Sequence, residues 1–192
     1  SLVSFQLVNL KRPKENIQRI DFTNHSVDLS DAEVQLEMGR RFAFGFGIPK
    51  KSTEAFKWFT LSAEQDNAIA QNHLGYCYGK GVGIVQNPEQ AFKWFLKSAE
   101  QGNIIAQNNL GISYFQGRGM KPDYEKAAKW YLLAAEQGNV NSQLHLGKIY
   151  YEGKLGYKDY KKAITWFEKA NENGSTEALY YLAKCYENGF GV

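Results

Sequence analysis

The sequence predicts an all-α fold, an α-α superhelix (solenoid) of about four and a half helix-turn-helix repeats. Three observations predict it. All four tryptophans, Trp58, Trp94, Trp130 and Trp166, stand 36 residues apart. Four glycines, Gly39, Gly75, Gly111 and Gly147, keep the same period, with Ala183 in the fifth slot. Two phrases, SAEQDNAIAQNHLG from Ser62 and SAEQGNIIAQNNLG from Ser98, are near copies one period apart. A fixed period between about 20 and 50 residues marks an array whose units bury their apolar faces only by stacking. The units run 32–67, 68–103, 104–139 and 140–175, and a fifth, 176–192, is half finished.

Residues 1–31 precede the array and differ from it, since every one of the 18 glycines lies between Gly39 and Gly191. They read as an N-terminal extension or cap over the first repeat, because terminal units of an array need covering. Pro13 is placed to open a short helix through Ile20. Ser30 and Glu33 have the spacing of a capping box for the first repeat helix. The basic run LKRPK from Leu10 reads as a solvated linker.

Each repeat reads as two helices. In the second unit Ala70, Leu74 and Tyr78 share one face at helical spacing. Gly81-Val82-Gly83 then breaks the helix. Asn87-Pro88 restarts the chain, an N-cap followed by a residue pre-set for the first helical position. Asp123 and Asp159 hold the same cap slot in later units; the first unit has Lys51 there, which transfers the cap to Ser52. Ala91, Trp94, Phe95 and Ala99 line one face of the second helix. Gly102, Gly138 and Gly174 close the second helices with a left-handed residue, and Asp66 stands in for that glycine in the first unit. Gly75 and its equivalents lie inside the first helix, where glycine costs about 1 kcal/mol relative to alanine. Close approach of the second helix, with Ala91 as the matching small residue and tryptophan filling the space between units, offsets that cost. In the fifth unit Leu182, Tyr186 and Leu179 sit on a helix without its partner, so the chain is expected to continue or to self-associate through its C-terminal half repeat.

The pattern Ala-x-x-x-Leu-Gly-x-x-Tyr, then Gly-x-Gly, then Ala-x-x-Trp and a closing Gly resembles the Sel-one-like repeat, a relative of the tetratricopeptide repeat. The third unit shows it as Ala106, Leu110-Gly111, Tyr114, Gly117-Arg118-Gly119, Ala127, Trp130 and Gly138-Asn139. The resemblance covers residues 32–192; Met38 replaces Leu in the first unit and Gly156 falls one residue late in the fourth. It implies a protein–protein interaction scaffold or adaptor. An accessory repeat region of a longer enzyme or signalling protein is the alternative, which the Ser at position 1 and the half unit keep open. Some members staple each helix pair with disulfides; this chain lacks those cysteines, which suits a reducing compartment.

No catalytic constellation accompanies the repeats. Composition (43% hydrophobic, 22% charged) suits a folded chain, and a mild net charge of +3 permits an acidic partner but gives no strong warrant for nucleic acid, which usually leaves a clustered basic footprint. No apolar run reaches the roughly 20 residues of a membrane span. His73 and Cys77 are four apart on one helix, half of a metal site without a second pair nearby. Cys77 and Cys185 share a repeat position three units apart, too far to bond to each other. The Gly-x-Gly elements follow helices rather than strands and read as turns, not nucleotide loops. Neither a cofactor nor a metal is expected.

The binding surface is expected on the concave side, which first helices line in related solenoids. Positions two, six and nine after the signature alanine point away from the stack at 100° per residue. They read Leu36, Asn72, Asn108, Leu144 and Tyr180, then Arg40, Tyr76, Ile112, Lys148 and Lys184, then Ala43, Gly79, Phe115, Tyr151 and Glu187. The partner-binding candidates among them are Arg40, Asn72, Tyr76, Asn108, Ile112, Phe115, Lys148, Tyr151 and Lys184. Asn72 and Asn108 would hold an extended peptide backbone through their amides. Tyr76, Ile112, Phe115 and Tyr151 would form apolar pockets. Arg40, Lys148 and Lys184 would favour acidic side chains, so the expected partner is a protein or peptide of acidic character.

Overall fold

A computed structural model describes residues 28–191. The expectations for the N-terminal extension, including the helix opened by Pro13 and its covering role, fall on residues outside that range. Among the described residues there are nine α-helices and no strand. They are α1 (Ala32–Phe44), α2 (Ser52–Glu64), α3 (Ala68–Lys80), α4 (Pro88–Glu100), α5 (Ile104–Gln116), α6 (Tyr124–Glu136), α7 (Val140–Glu152), α8 (Tyr160–Glu172) and α9 (Thr176–Glu187). Odd-numbered helices are the first helices of repeats, and even-numbered ones the second. The fold is an all-α repeat solenoid of about four and a half 36-residue units. The helices group into two compact units larger than the repeats: the first unit ends at Asn103 and the second unit starts at Ile104.

Local sequence sets the helix ends. Asn87, Asp123 and Asp159 accept from the backbone N–H three residues on, as Ser, Asp and Asn do at N-caps. Two caps differ from expectation. Lys51, not Ser52, occupies the cap of α2, and its side chain makes no capping bond. Asp31 caps α1 by accepting from Glu33 N and Val34 N, while Ser30 donates to Asp28. A carboxylate adjacent to the first turn takes two N–H groups and the positive helix end together, which a hydroxyl cannot match. Gly102, Gly138 and Gly174 have φ of +85°, +86° and +95°, and Asp66 adopts +60° in their place.

The glycine inside each first helix has a ring against it, supplied by the residue after the tryptophan. A Cβ on Gly39, Gly75 or Gly111 would lie 2.5, 2.7 or 2.6 Å from the rings of Phe59, Phe95 and Tyr131, and Gly147 meets Phe167 in the same way. Those four rings are at most 2% exposed. The facing residue is therefore Phe95 and not Ala91, and the tryptophans sit half-buried at the rim. Trp94 packs against the edge of the first unit's core, with Lys97 Nζ 4.8 Å above its ring. One turn of a helix displays Trp94 and Phe95 about 100° apart, so only one of them can point at the glycine.

Amide pairs lace each helix pair together, an exposed donor after the second helix reaching a buried glutamine of the first. Gln65, Gln101 and Gln137 donate to Gln35, Gln71 and Gln107 at 2.8, 2.8 and 2.9 Å, and Asn173 donates to Gln143 at 3.2 Å. Ser62 Oγ donates to the Ala32 carbonyl at 2.6 Å, and Ser98 Oγ bonds Ala68 likewise. Each bond spans 30 residues, from the end of a second helix to the start of its own first helix. The turns pack just as closely: Gly83, at φ +75°, leaves no room for a Cβ against the Ser52 carbonyl of the preceding repeat.

Candidate functional site

The first helices carry the nine candidate positions, expected to face solvent, and the structure separates them into two groups. Asn72, Asn108 and Ile112 are 2%, 0% and 1% exposed. They are interior, contrary to expectation. For the asparagines the cause is visible from Ile104 onward, where Asn108 Oδ1 accepts from Ser142 Oγ at 2.9 Å. Ser142 holds the signature small position of the next repeat, so a residue two after that position faces the neighbouring first helix. In the first unit Leu36, which is equivalent to Asn72, lies in one core with Ala70 and Leu74. A first helix is flanked by its neighbours as well as by its own partner, which leaves a narrower open arc than a two-sided helix would have.

The other six positions, Arg40, Tyr76, Phe115, Lys148, Tyr151 and Lys184, are half-buried. Arg40 and Tyr76 belong to the first unit. The second unit holds the richer set. Tyr151 lies edge-on to Tyr160 and Tyr181 at 5.6 Å each and to Phe190 at 6.5 Å. Lys148 Nζ is 2.6 Å from Glu177 and 5.2 Å from the Tyr181 ring centre. Lys184 Nζ stands 4.6 Å over Tyr180, whose side chain is 54% exposed. Phe115 packs edge-on against Tyr124 at 5.2 Å. The arrangement offers fixed aromatic edges bordered by ammonium groups, suited to apolar and acidic side chains together. Tyr160, Tyr181 and Phe190 were not selected by helix geometry; Tyr180, two after Ala178, is a position the geometry selects, and it is exposed.

The residues that could suggest chemistry are core residues. His73 stacks on Phe59 at 4.6 Å, and burial, with the Arg40 charge as a smaller cause, pushes its pKa down to about 3. His145 stacks on Tyr131 at 4.9 Å; burial first, then Lys148, pushes it down to about 4, with Glu177 opposing. Burial raises the Cys77 thiol to about 12, which disfavours the thiolate needed for metal binding or nucleophilic attack. Both cysteines are free and buried. Among the described residues no three His, Cys, Asp or Glu side chains form a cluster able to hold a metal, and no helix is long and apolar enough to cross a membrane.

The Sel1 repeat model matches five consecutive segments, 32–67, 68–103, 104–139, 140–175 and 176–192. Among solved structures, the chain is similar to a Sel1 repeat protein from Oxalobacter formigenes, with 32% identity, 85% of this chain and 67% of that one covered, and a TM-score of 0.79. It is also similar to c5321, a protective antigen of uropathogenic Escherichia coli displaying an SLR fold, at 38% identity and a TM-score of 0.81. That match covers 86% of this chain but 38% of the antigen. Helicobacter pylori cysteine rich protein B matches at 28% identity over 69% of this chain and 96% of its own, with a TM-score of 0.54. None of the curated proteins matches the chain. With the repeat model matched from residue 32 to 192 and the helix pairs in the same register, the chain belongs to the Sel1 repeat family.

Proposed function

We propose that this protein is an interaction scaffold that binds a partner protein or an extended, acidic peptide on the open arcs of its first helices. Sel1 repeats are generally protein–protein interaction modules, and Sel1 repeat proteins are generally non-enzymatic scaffolds. The observation that carries the reading is the set of half-buried aromatics and cations on those helices, above all Tyr151 and Lys184 with their ring neighbours. Rigid aromatic edges lose little entropy on binding, which makes them good anchors. Lys148 already holds Glu177, so an acidic partner group there must displace an internal carboxylate. Lys184 has no such competitor among the described ion pairs, and it is the better docking point. Exposed Leu179, Tyr180 and Tyr186 on α9 support self-association through the C-terminal half repeat as a second mode of the same scaffold.

The test uses the purified chain and a partner captured with it, titrated by calorimetry. Tyr76→Ala with Phe115→Ala, and separately Lys184→Glu, should each weaken binding by at least about 10-fold while helical content is kept. Unchanged affinity in both variants would move the site off the first helices.

A further inference from the structure

The charge of this protein is not spread evenly. Residues 117–127 and 153–163, which contain the α5–α6 and α7–α8 turns, carry seven Lys and Arg against three Asp and Glu. That excess of four exceeds the net charge of the whole chain, +3. The corresponding turns of the first unit, 45–55 and 81–91, are balanced, with two lysines and two glutamates. The two basic turns are neighbours: Lys154 Nζ of one lies 5.6 Å from the ring centre of Tyr124, which opens the helix after the other. Three lysines on this edge, Lys126, Lys154 and Lys162, lean on carboxylates at 3.2 to 3.4 Å. Lys121, Lys158 and Lys161 are exposed and have no ion-pair partner among the described residues.

We infer that the turn edge of the second unit is a separate docking surface for a protein segment with spaced carboxylates. It borders the first-helix positions through Tyr124 and Tyr160, which pack on Phe115 and Tyr151, but its cations lie on the turns and none of them is one of those six residues. Three features favour a carboxylate-bearing peptide over a nucleic acid. Lys126, Lys154, Lys158 and Lys162 stand over Tyr114, Tyr124, Tyr160 and Tyr150 at 5.3 to 5.8 Å, so those ring faces are covered and not open for base stacking. Six of the seven cations are lysines, point charges rather than the planar forks that grip phosphate in two places. Asp123, Glu152 and Asp159 interrupt the row, which repels an unbroken phosphate backbone but leaves gaps that suit acidic side chains separated by neutral ones.

The probe is a fluorescein-labelled alternating Glu-Ser peptide, followed by anisotropy with the full chain. An oligouridylate of equal length and vesicles containing phosphatidylserine are run beside it. Lys121→Glu with Lys158→Glu and Lys161→Glu should weaken the peptide by at least about 30-fold, and the triple Gln variant by about 10-fold. Raising salt from roughly 0.05 to 0.3 M should weaken it by about 10-fold as well. Lys57→Glu with Lys93→Glu, in the first unit, should leave affinity within about 2-fold. Circular dichroism checks folding, and the Gln variant decides the matter if the Glu variant is unfolded. No peptide binding, peptide binding indifferent to both triple variants, or tighter variant-sensitive binding of the oligouridylate or vesicles would each overturn the inference.

Discussion

Replacing Gly75 with alanine sets two known effects against each other. Alanine is the better helix former, and at an open position the change would stabilise α3 by about 1 kcal/mol. Here the new Cβ would lie 2.7, 2.8 and 3.1 Å from three atoms of the Phe95 ring. Two of these separations are well inside van der Waals contact, and the nearer ring edge cannot swing away because Phe95 is fully buried. Relief requires α3 and α4 to part, an overpacking cost at the upper end of the usual range, about 3 kcal/mol. The net expectation is a loss of about 2 kcal/mol, the clash less the propensity gain. Urea unfolding followed by circular dichroism gives the value directly, provided the slope is unchanged. Phe95→Leu in the Gly75→Ala background should cost less than it does in the wild type, because it makes room for the methyl group. Ala183→Gly is the counterpart: Ala183 is exposed, so it should lose only the propensity, about 1 kcal/mol. A Gly75→Ala protein more stable than the wild type would refute close approach between the two helices.

Other outcomes follow from the same packing. Phe95→Ala should cost about 3–5 kcal/mol as a fully buried aromatic, and Trp94→Ala only about half as much, because that ring sits at the rim; urea melts of the two rank them. The two histidines make stability fall in acid. Their pKa values in the fold, about 3 and about 4, lie below the ordinary 6.5, so the unfolded chain takes up protons first as pH drops. Their contribution is complete above pH 6.5 and shrinks toward the folded values, with about 2 kcal/mol lost per ring by pH 5. His73→Phe with His145→Phe should flatten that part of the stability–pH curve. Ser98→Ala removes the tie to the Ala68 carbonyl, which keeps its bond within α3, a loss of about 1 kcal/mol measurable by the same melts.

The repeat was legible in the sequence because every unit solves the same packing problem with the same residues, which leaves tryptophan, glycine and cap residues in phase. Caps at Asn87, Asp123 and Asp159 follow from side-chain chemistry alone. Which ring faces Gly75 was less visible, since Trp94 and Phe95 both recur at 36 residues and only the approach angle of α4 selects Phe95. The Gln71–Gln101 bond and its equivalents recur in phase too, yet exposed glutamines on a helix read as solvated, and only burial reveals their role. The binding arc shows the limit of a helical wheel. It gives the angle between Asn108 and Ala106 correctly but not the number of helices that surround α5, and Asn108 proves to be covered. Tyr76, Lys148 and Lys184 stay partly open although Ile112, at the same repeat position, is buried, and Phe115 and Tyr151 stay partly open two turns beyond the buried asparagine position, toward the C-terminal ends of α5 and α7.

The most direct test of the scaffold reading is a crosslinking map with the photoreactive amino acid benzoylphenylalanine. It is placed singly at Tyr76, Phe115 and Tyr180 on first helices, and at Leu61 and Leu133, which are exposed on second helices. Each variant is irradiated with the captured partner. Crosslinks at the three first-helix positions, absent from the two second-helix positions and lost on adding unlabelled wild-type chain, are the predicted result. Crosslinks confined to Leu61 and Leu133 would contradict the account, because the partner would then be held on the opposite side of the helix pairs.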